Sequence, residues 1–175
     1  MDTLVYYQKR DVALSRVSLP NGCRTRLATQ GDADELKRLA IEAFSGFLGH
    51  YHADLRLARD ACDMVYGSWA ANSCLNKQVA DDVLLIERDN VVAGFLTLKY
   101  KGTDTAEIIL NAVDPQCQGM GLYSALVGLA LNWTAERGLS KLIVSTQITN
   151  LAPQKVWCRY GFEPHSSFYT LHKWF

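Results

Sequence analysis

The chain has 175 residues, 49% hydrophobic and 21% charged, which fits one globular domain with an ordinary core rather than a disordered or membrane-embedded chain. Its 18 basic and 18 acidic residues cancel, so the totals offer no electrostatic case for nucleic acid or anionic lipid. Five cysteines without a Cys-x-x-Cys pair point to neither a disulfide framework nor a zinc site, and the opening MDTLVYYQKR has no signal-peptide pattern, so a reduced, cytoplasmic protein is expected.

Residues 4–7 suggest a short strand and residues 8–21 are weakly patterned, so 1–22 reads as an N-terminal extension and 23–175 as the domain. Residues 24–28 suggest the first strand of that domain. Thr29-Gln30-Gly31-Asp32 opens a helix, capped by Thr29 or Asp32, with Leu36, Leu39, Ala40, Ala43, Phe44 and Phe47 as its buried stripe. A glycine-bearing connection, 46–52, leads to a second helix with Leu55, Ala58, Cys62, Val65 and Trp69 at three- and four-residue steps. Residues 83–87 and 91–99 read as a hairpin around Asp89-Asn90. Residues 141–146 predict a strand, 152–160 a helix and 168–174 a last strand.

The chain is organised around residues 106–129, a strand, a loop and a helix in that order. Ile108, Ile109 and Val113 are β-branched, and Asp114-Pro115 ends their ladder because proline has no N–H to give. Leu122, Ala125, Leu126, Leu129, Ala130 and Trp133 recur on one helix face, which Gly138 is placed to close. Between them lies Gln116-Cys117-Gln118-Gly119-Met120-Gly121. A loop entering a helix through two glycines exposes N–H groups to an anion, although the same pattern serves a plain tight turn. A P-loop would require Gly-Lys-Ser/Thr, which is absent. A dinucleotide fingerprint would require a third glycine where Ser124 stands.

Val113-Asp114-Pro115 followed by Gln116-x-x-Gly119-x-Gly121 resembles the acyl-CoA pyrophosphate loop of the GNAT superfamily of N-acyltransferases. Asn150, Trp157 and Gly161-Phe162 are similar to the superfamily's Asn-x6-[Leu/Val]-Tyr-x3-Gly-Phe pattern, with Trp157 where tyrosine is usual. The resemblance runs from about Arg24 to the C-terminus. It implies an α/β fold: a mixed sheet of about six to seven strands flanked by about four helices, with the central strand splayed from the next to admit acyl-CoA.

The implied activity is N-acetyl transfer, or transfer of another short acyl group, from acetyl-CoA to a small-molecule amine. No metal, nucleic acid or membrane takes part, and a homodimer is left open. The resemblance assigns cofactor contacts to Ala112, Val113, Gln118, Gly119, Met120, Gly121, Leu122, Tyr123 and Asn150. It places an oxyanion-binding N–H in the bulge at 111–113. Glu107 becomes the candidate base, since an alkyl amine of pKa roughly 10 must lose a proton. Glu107 reads equally as an exposed strand carboxylate paired with Lys99 or Lys101, and strict alternation puts it on the face of Asn111.

An indole cannot act as an acid, so Trp157 leaves the thiolate's proton donor unassigned: Tyr160, Tyr169 and His172 are candidates, or water serves, CoA being a fairly good leaving group, with Trp157 then lining the acyl pocket. His50-Tyr51-His52 borders the implied acceptor site. His50, His52 and Tyr169 are the candidate substrate contacts for a nucleotide-linked amino sugar, the polar-loop reading of the histidines remaining open. Trp157 also motivates a second function class, a non-catalytic acyl-CoA binder or sensor.

Overall fold

The computed structural model describes residues 2–47, 49, 51, 52, 54–171 and 173. Its strands are β1 (Asp2–Arg10), β2 (Cys23–Leu27), β3 (Asp82–Arg88), β4 (Val91–Tyr100), β5 (Thr105–Val113), β6 (Lys141–Gln147) and β7 (Glu163–Thr170). The helices are α1 (Ala33–Ala43), α2 (Arg59–Leu75), α3 (Leu122–Glu136) and α4 (Leu151–Arg159). The seven strands form one sheet in the order β2-β3-β4-β5-β6-β1-β7, antiparallel throughout except between β5 and β6. The expected mixed sheet flanked by four helices is therefore present.

Two apolar cores lie on opposite faces of this sheet. One joins Leu122, Leu126 and Trp133 of α3 with Trp157, Phe162 and the strand residues Leu96, Leu98, Ala106 and Ile108. The other joins Leu36, Leu39 and Ala40 of α1 with Tyr66 and Ala70 of α2, against Leu85, Phe95, Leu110 and Ala112. The buried residues of α2 are Cys62, Tyr66, Gly67, Ala70 and Ser73. The predicted stripe was rotated about one position from this, and Leu55 lies outside the helix, fully exposed. Gly67 explains the rotation: a Cβ there would sit 2.7 Å from Ile41, so the close approach of α1 fixes the packed face.

The N-terminal stretch is not an extension to the sheet. β1 lies between β6 and β7 and pairs with both, which joins the C-terminal strand to the rest. Beyond it the Val12 N–H continues the pairing with β6, donating to the Ser140 carbonyl, and the chain then straps α3, where Asn132 exchanges two 2.9 Å hydrogen bonds with the Ser15 backbone. Val12, Val17 and Leu19 pack on the α3 core. Pairing with β1 also sets the register of β7, which starts five residues earlier than predicted. Its Pro164 is tolerated because β7 is an edge strand. The hairpin is as expected, with Asp89 and Asn90 both at positive φ (52° and 67°) as a tight two-residue turn demands.

One irregularity decides where the side chains of β5 point. Leu96 pairs with Asn111 but Leu98 pairs with Ile108, so two residues of β5 oppose Thr97 alone. This is a β-bulge, and it inverts the alternation. Ala106 and Ile108 face the α3 core, whereas Leu110 and Ala112 face α1 and α2. Glu107 and Asn111 therefore lie on opposite faces, against the expectation from alternation. The Thr97 hydroxyl repairs the ladder there, accepting from the Leu110 N–H at 2.9 Å and donating to the Leu110 carbonyl at 3.1 Å.

Candidate active site

β5 and β6 pair only from Thr105↔Lys141 to Ile108↔Val144, although the strands run on to Val113 and Gln147. β6 stays paired with β1 throughout, so its course is fixed and the two central strands part. A cleft of ≈ 540 Å³ opens at the separation. Its walls are Asn111, Ala112 and Val113 of β5, the loop from Cys117 to Gly121, the start of α3, and Asn150 with Ala152, Pro153, Val156 and Arg159 of α4. Ala43, Phe44 and Phe47 at the end of α1 close the far side.

The loop is held from its first residue. Asp114 accepts the Gln116 N–H on its carboxylate at 2.7 Å and the Cys117 N–H on its carbonyl at 2.8 Å. Gly119 and Gly121 have φ of 78° and 83°, left-handed values that a side chain disfavours. Nothing lies within 4 Å of a Cβ at Gly119, so conformation and not crowding requires glycine. Gly121 caps α3 without a side chain, and the first turn carries no acidic residue. The first N–H groups of a 15-residue helix are thus left for an anion, with the helix dipole favouring it.

Every expected cofactor contact lines this cleft except Met120, whose sulfur instead meets the Arg88 guanidinium at 2.7 Å. Asn150 leads into α4 but makes no side-chain cap bond. Its Nδ2 donates to the Thr146 hydroxyl at 3.0 Å while Gln154 donates to its carbonyl at 2.9 Å. Its Oδ1 accepts nothing among the described residues and lies at the cleft wall.

Trp157 is buried, its ring 5.4 Å from that of Tyr7, and its indole N–H donates to the Tyr123 hydroxyl at 2.8 Å. Burial pushes the Tyr123 phenol above the ordinary tyrosine range, and the Trp157 bond opposes that only in part. The Tyr160 hydroxyl donates to the Ser124 carbonyl at 2.8 Å and is thereby occupied.

The remaining candidates stand elsewhere. Glu107 is paired with Lys101 at 3.0 Å, the surface pairing foreseen as its alternative. It lies five residues, about 16 Å along a strand, before Ala112. His52 is buried in its loop: Nδ1 accepts the Gly49 N–H at 3.2 Å, which puts the ring proton on Nε2, 2.9 Å from Asp63. Tyr169 is 72% exposed on the edge strand β7, away from the cleft. His50 and His172 lie outside the described residues. Among the described residues no group of His, Cys, Asp and Glu gathers as a metal site, and no helix is long and apolar enough to cross a membrane.

Sequence reasoning missed Phe44, Phe47 and Arg159 as cleft residues and Arg88 as the neighbour of the loop. Phe44 and Phe47 carried a signal, since they end the apolar stripe of α1 where the helix stops. The two arginines carried none, because only the tertiary fold brings them to the loop.

Residues 35–162 match the acetyltransferase (GNAT) family, well over half of the chain. The dTDP-fucosamine acetyltransferase of Escherichia coli O6:H1 is 28% identical over 149 residues, 84% of this chain and 62% of that relative. The chain thus spans less than two thirds of that relative's length. A GCN5-related N-acetyltransferase from Sphaerobacter thermophilus superposes with a TM-score of 0.70 at 13% identity, over 95% of this chain and 49% of that one. The Salmonella typhimurium yncA structure, determined with its cofactor acetyl-CoA, superposes with a TM-score of 0.59 at 19% identity, over 82% and 80%. Both structural likenesses are of fold, and the fold agrees with the site: a parted central strand pair above an uncapped, two-glycine helix start. The chain belongs to the acetyltransferase (GNAT) family.

Proposed function

We propose that this chain transfers an acetyl or other short acyl group from acyl-CoA directly to a primary amine of a small molecule. The observation that carries the reading is the gap between β5 and β6, which ends on the uncapped start of α3. The fit to acyl-CoA is chemical. A pyrophosphate suits the free N–H groups at Gly121–Tyr123, and the amides of a pantetheine arm suit the strand edges left unpaired beyond Ile108 and Val144. Asn150 offers its free Oδ1 to the same arm, and Arg159 places a cation at the cleft.

When bound, acyl-CoA supplies an acyl carbon activated as a thioester. The chain's own groups do the rest. Backbone N–H at Val113, beyond the bulge and turned away from β4 by the antiparallel alternation, is the proposed donor to the thioester oxygen, a contribution of about 10² to 10³ in rate. Glu107 is the proposed proton acceptor, and its place on the strand requires water to carry the proton to it. Phe44 and Phe47 border the acceptor's end of the cleft. The acceptor class proposed is a nucleotide-linked amino sugar, supported by the relative named dTDP-fucosamine acetyltransferase.

The test is a thiol-release screen with acetyl-CoA across amino-sugar nucleotides, amino acids and polyamines. Release that depends on an amino-sugar nucleotide is expected. Tight acetyl-CoA binding with no amine-dependent release would favour a second reading, a non-catalytic acyl-CoA binder, which Trp157 at the acid's usual place supports.

A further inference from the structure

The proposed transfer leaves one proton unassigned, the one the departing sulfur needs, and Trp157 cannot supply it. Trp157 nevertheless makes a directed bond. It is 1% exposed, fixed against Tyr7 and the α3 core, and its Nε1–H donates to the Tyr123 hydroxyl oxygen at 2.8 Å. That bond uses an acceptor site of the phenol and leaves its O–H to donate elsewhere. Among the described residues no acceptor takes that hydrogen. Tyr123 lines the cleft with Asn111, Ala112 and Val113, where the carbonyl and sulfur would lie on the proposed reading. A phenol held by one donor, on a residue that lines a ligand cleft, has among the described residues no acceptor for its own hydrogen and can turn it to what enters the cleft.

The geometry points to Tyr123 as the catalytic proton donor to the leaving sulfur, with Trp157 as its positioning residue. The assignment rests on the acyltransferase reading above. The amine lone pair forms the carbon–nitrogen bond, and the carbon–sulfur pair goes to sulfur. Tyr123 gives its phenolic proton to that sulfur and recovers one from water, while the amine's surplus proton leaves through the base. The net products are one amide and one thiol. Burial keeps the proton on Tyr123 across the neutral range, and the Trp157 N–H strengthens its bond as the phenol oxygen gains charge. In water an alkyl thiol is more acidic than a phenol by about 1.5 pKa units. Burial widens that gap, so the phenolate is short-lived, held by the Trp157 N–H and discharged by the proton that water returns.

The test compares the wild type with Tyr123→Phe in binding and in turnover. By calorimetry, wild type should bind CoA more tightly than desulfo-CoA, and Tyr123→Phe should bind the two alike. In turnover, Tyr123→Phe should lower kcat by about 10²-fold or more while acetyl-CoA affinity holds within about twofold. Adding Trp157→Tyr to Tyr123→Phe should restore part of that loss by returning a hydroxyl beside the vacated one. Equal affinity of the wild type for CoA and desulfo-CoA, or unchanged kcat in Tyr123→Phe, would overturn the assignment. No CoA binding by the wild type would overturn the acyl-CoA reading and this assignment with it.

Discussion

Replacing Thr97 with valine keeps its shape and removes one hydroxyl. That hydroxyl is fully buried and bonds both the N–H and the carbonyl of Leu110, at 2.9 and 3.1 Å. In the Thr97→Val protein both Leu110 groups lose their partner at the bulge, inside the sheet and away from water. A buried donor left unmade costs about 1–3 kcal/mol, and a carbonyl somewhat less. The expected loss is about 2–4 kcal/mol. For a chain of this size each kcal/mol moves Tm by about 2–4 °C, so a fall of about 4–16 °C should appear in a thermal melt. Thr97→Ser separates the hydroxyl from the methyl, and should lose only about 1 kcal/mol. Because the bulge aims Asn111 to Val113 into the cleft, Thr97→Val should also lower kcat more than acetyl-CoA affinity. A Thr97→Val protein as stable as wild type, or Thr97→Ser as damaged as Thr97→Val, would refute the argument.

Other substitutions probe the loop, the base and the frame. Gly119→Ala meets no steric contact but forces a left-handed φ, a cost of about 1–2 kcal/mol. It should lower Tm by about 2–8 °C in a thermal melt and, where the loop relaxes instead, weaken acetyl-CoA binding by up to about tenfold in a titration. Glu107→Gln should lower turnover and flatten the acid limb of its pH profile, with acetyl-CoA affinity nearly intact; unchanged rates across pH would remove Glu107 as the base. Asp32 accepts from Arg26 at 2.6 and 2.8 Å and from the Thr29 N–H at 2.7 Å, and the guanidinium holds its carboxyl well below the usual range. Its folded pKa is depressed, so the stability it gives is present above the ordinary carboxylate pKa and lost as pH falls through the depressed value. Arg24 and Arg26 hold Glu87 low in the same sense. Asp32→Asn should cost about 2 kcal/mol at neutral pH, partly screened because Arg26 is 38% exposed, and the difference from wild type should shrink in acid.

The parts of this fold legible in the sequence were those fixed by local chemistry. Asp89-Asn90 announced its turn through positive-φ tolerance, and Pro115 with Gly119 and Gly121 announced the end of one strand and the start of a helix. The parts that were not legible depend on contacts distant in sequence. The weak pattern of residues 8–21 gave no sign that β1 would lie between β6 and β7. The phase of α2 was set by Gly67 against Ile41, a helix–helix contact that periodicity alone does not show. The bulge opposite Thr97 reversed the faces of β5, so alternation carried Glu107 and Asn111 to the wrong relative position. At the site, Gly119 and Gly121 were legible because their left-handed conformations demand glycine. The Trp157–Tyr123 bond was missed because 34 residues separate its ends.

The central claim is that the cleft between β5 and β6 holds acyl-CoA through the start of α3. Isothermal titration of wild type and Gly121→Trp with acetyl-CoA, with NADH as control ligand, tests it most directly. A Kd in the range of about 1 μM to 1 mM for wild type, lost in Gly121→Trp and absent with NADH, is the predicted result. Undiminished binding in Gly121→Trp, or no binding of acetyl-CoA or longer acyl-CoA by wild type, would contradict the account.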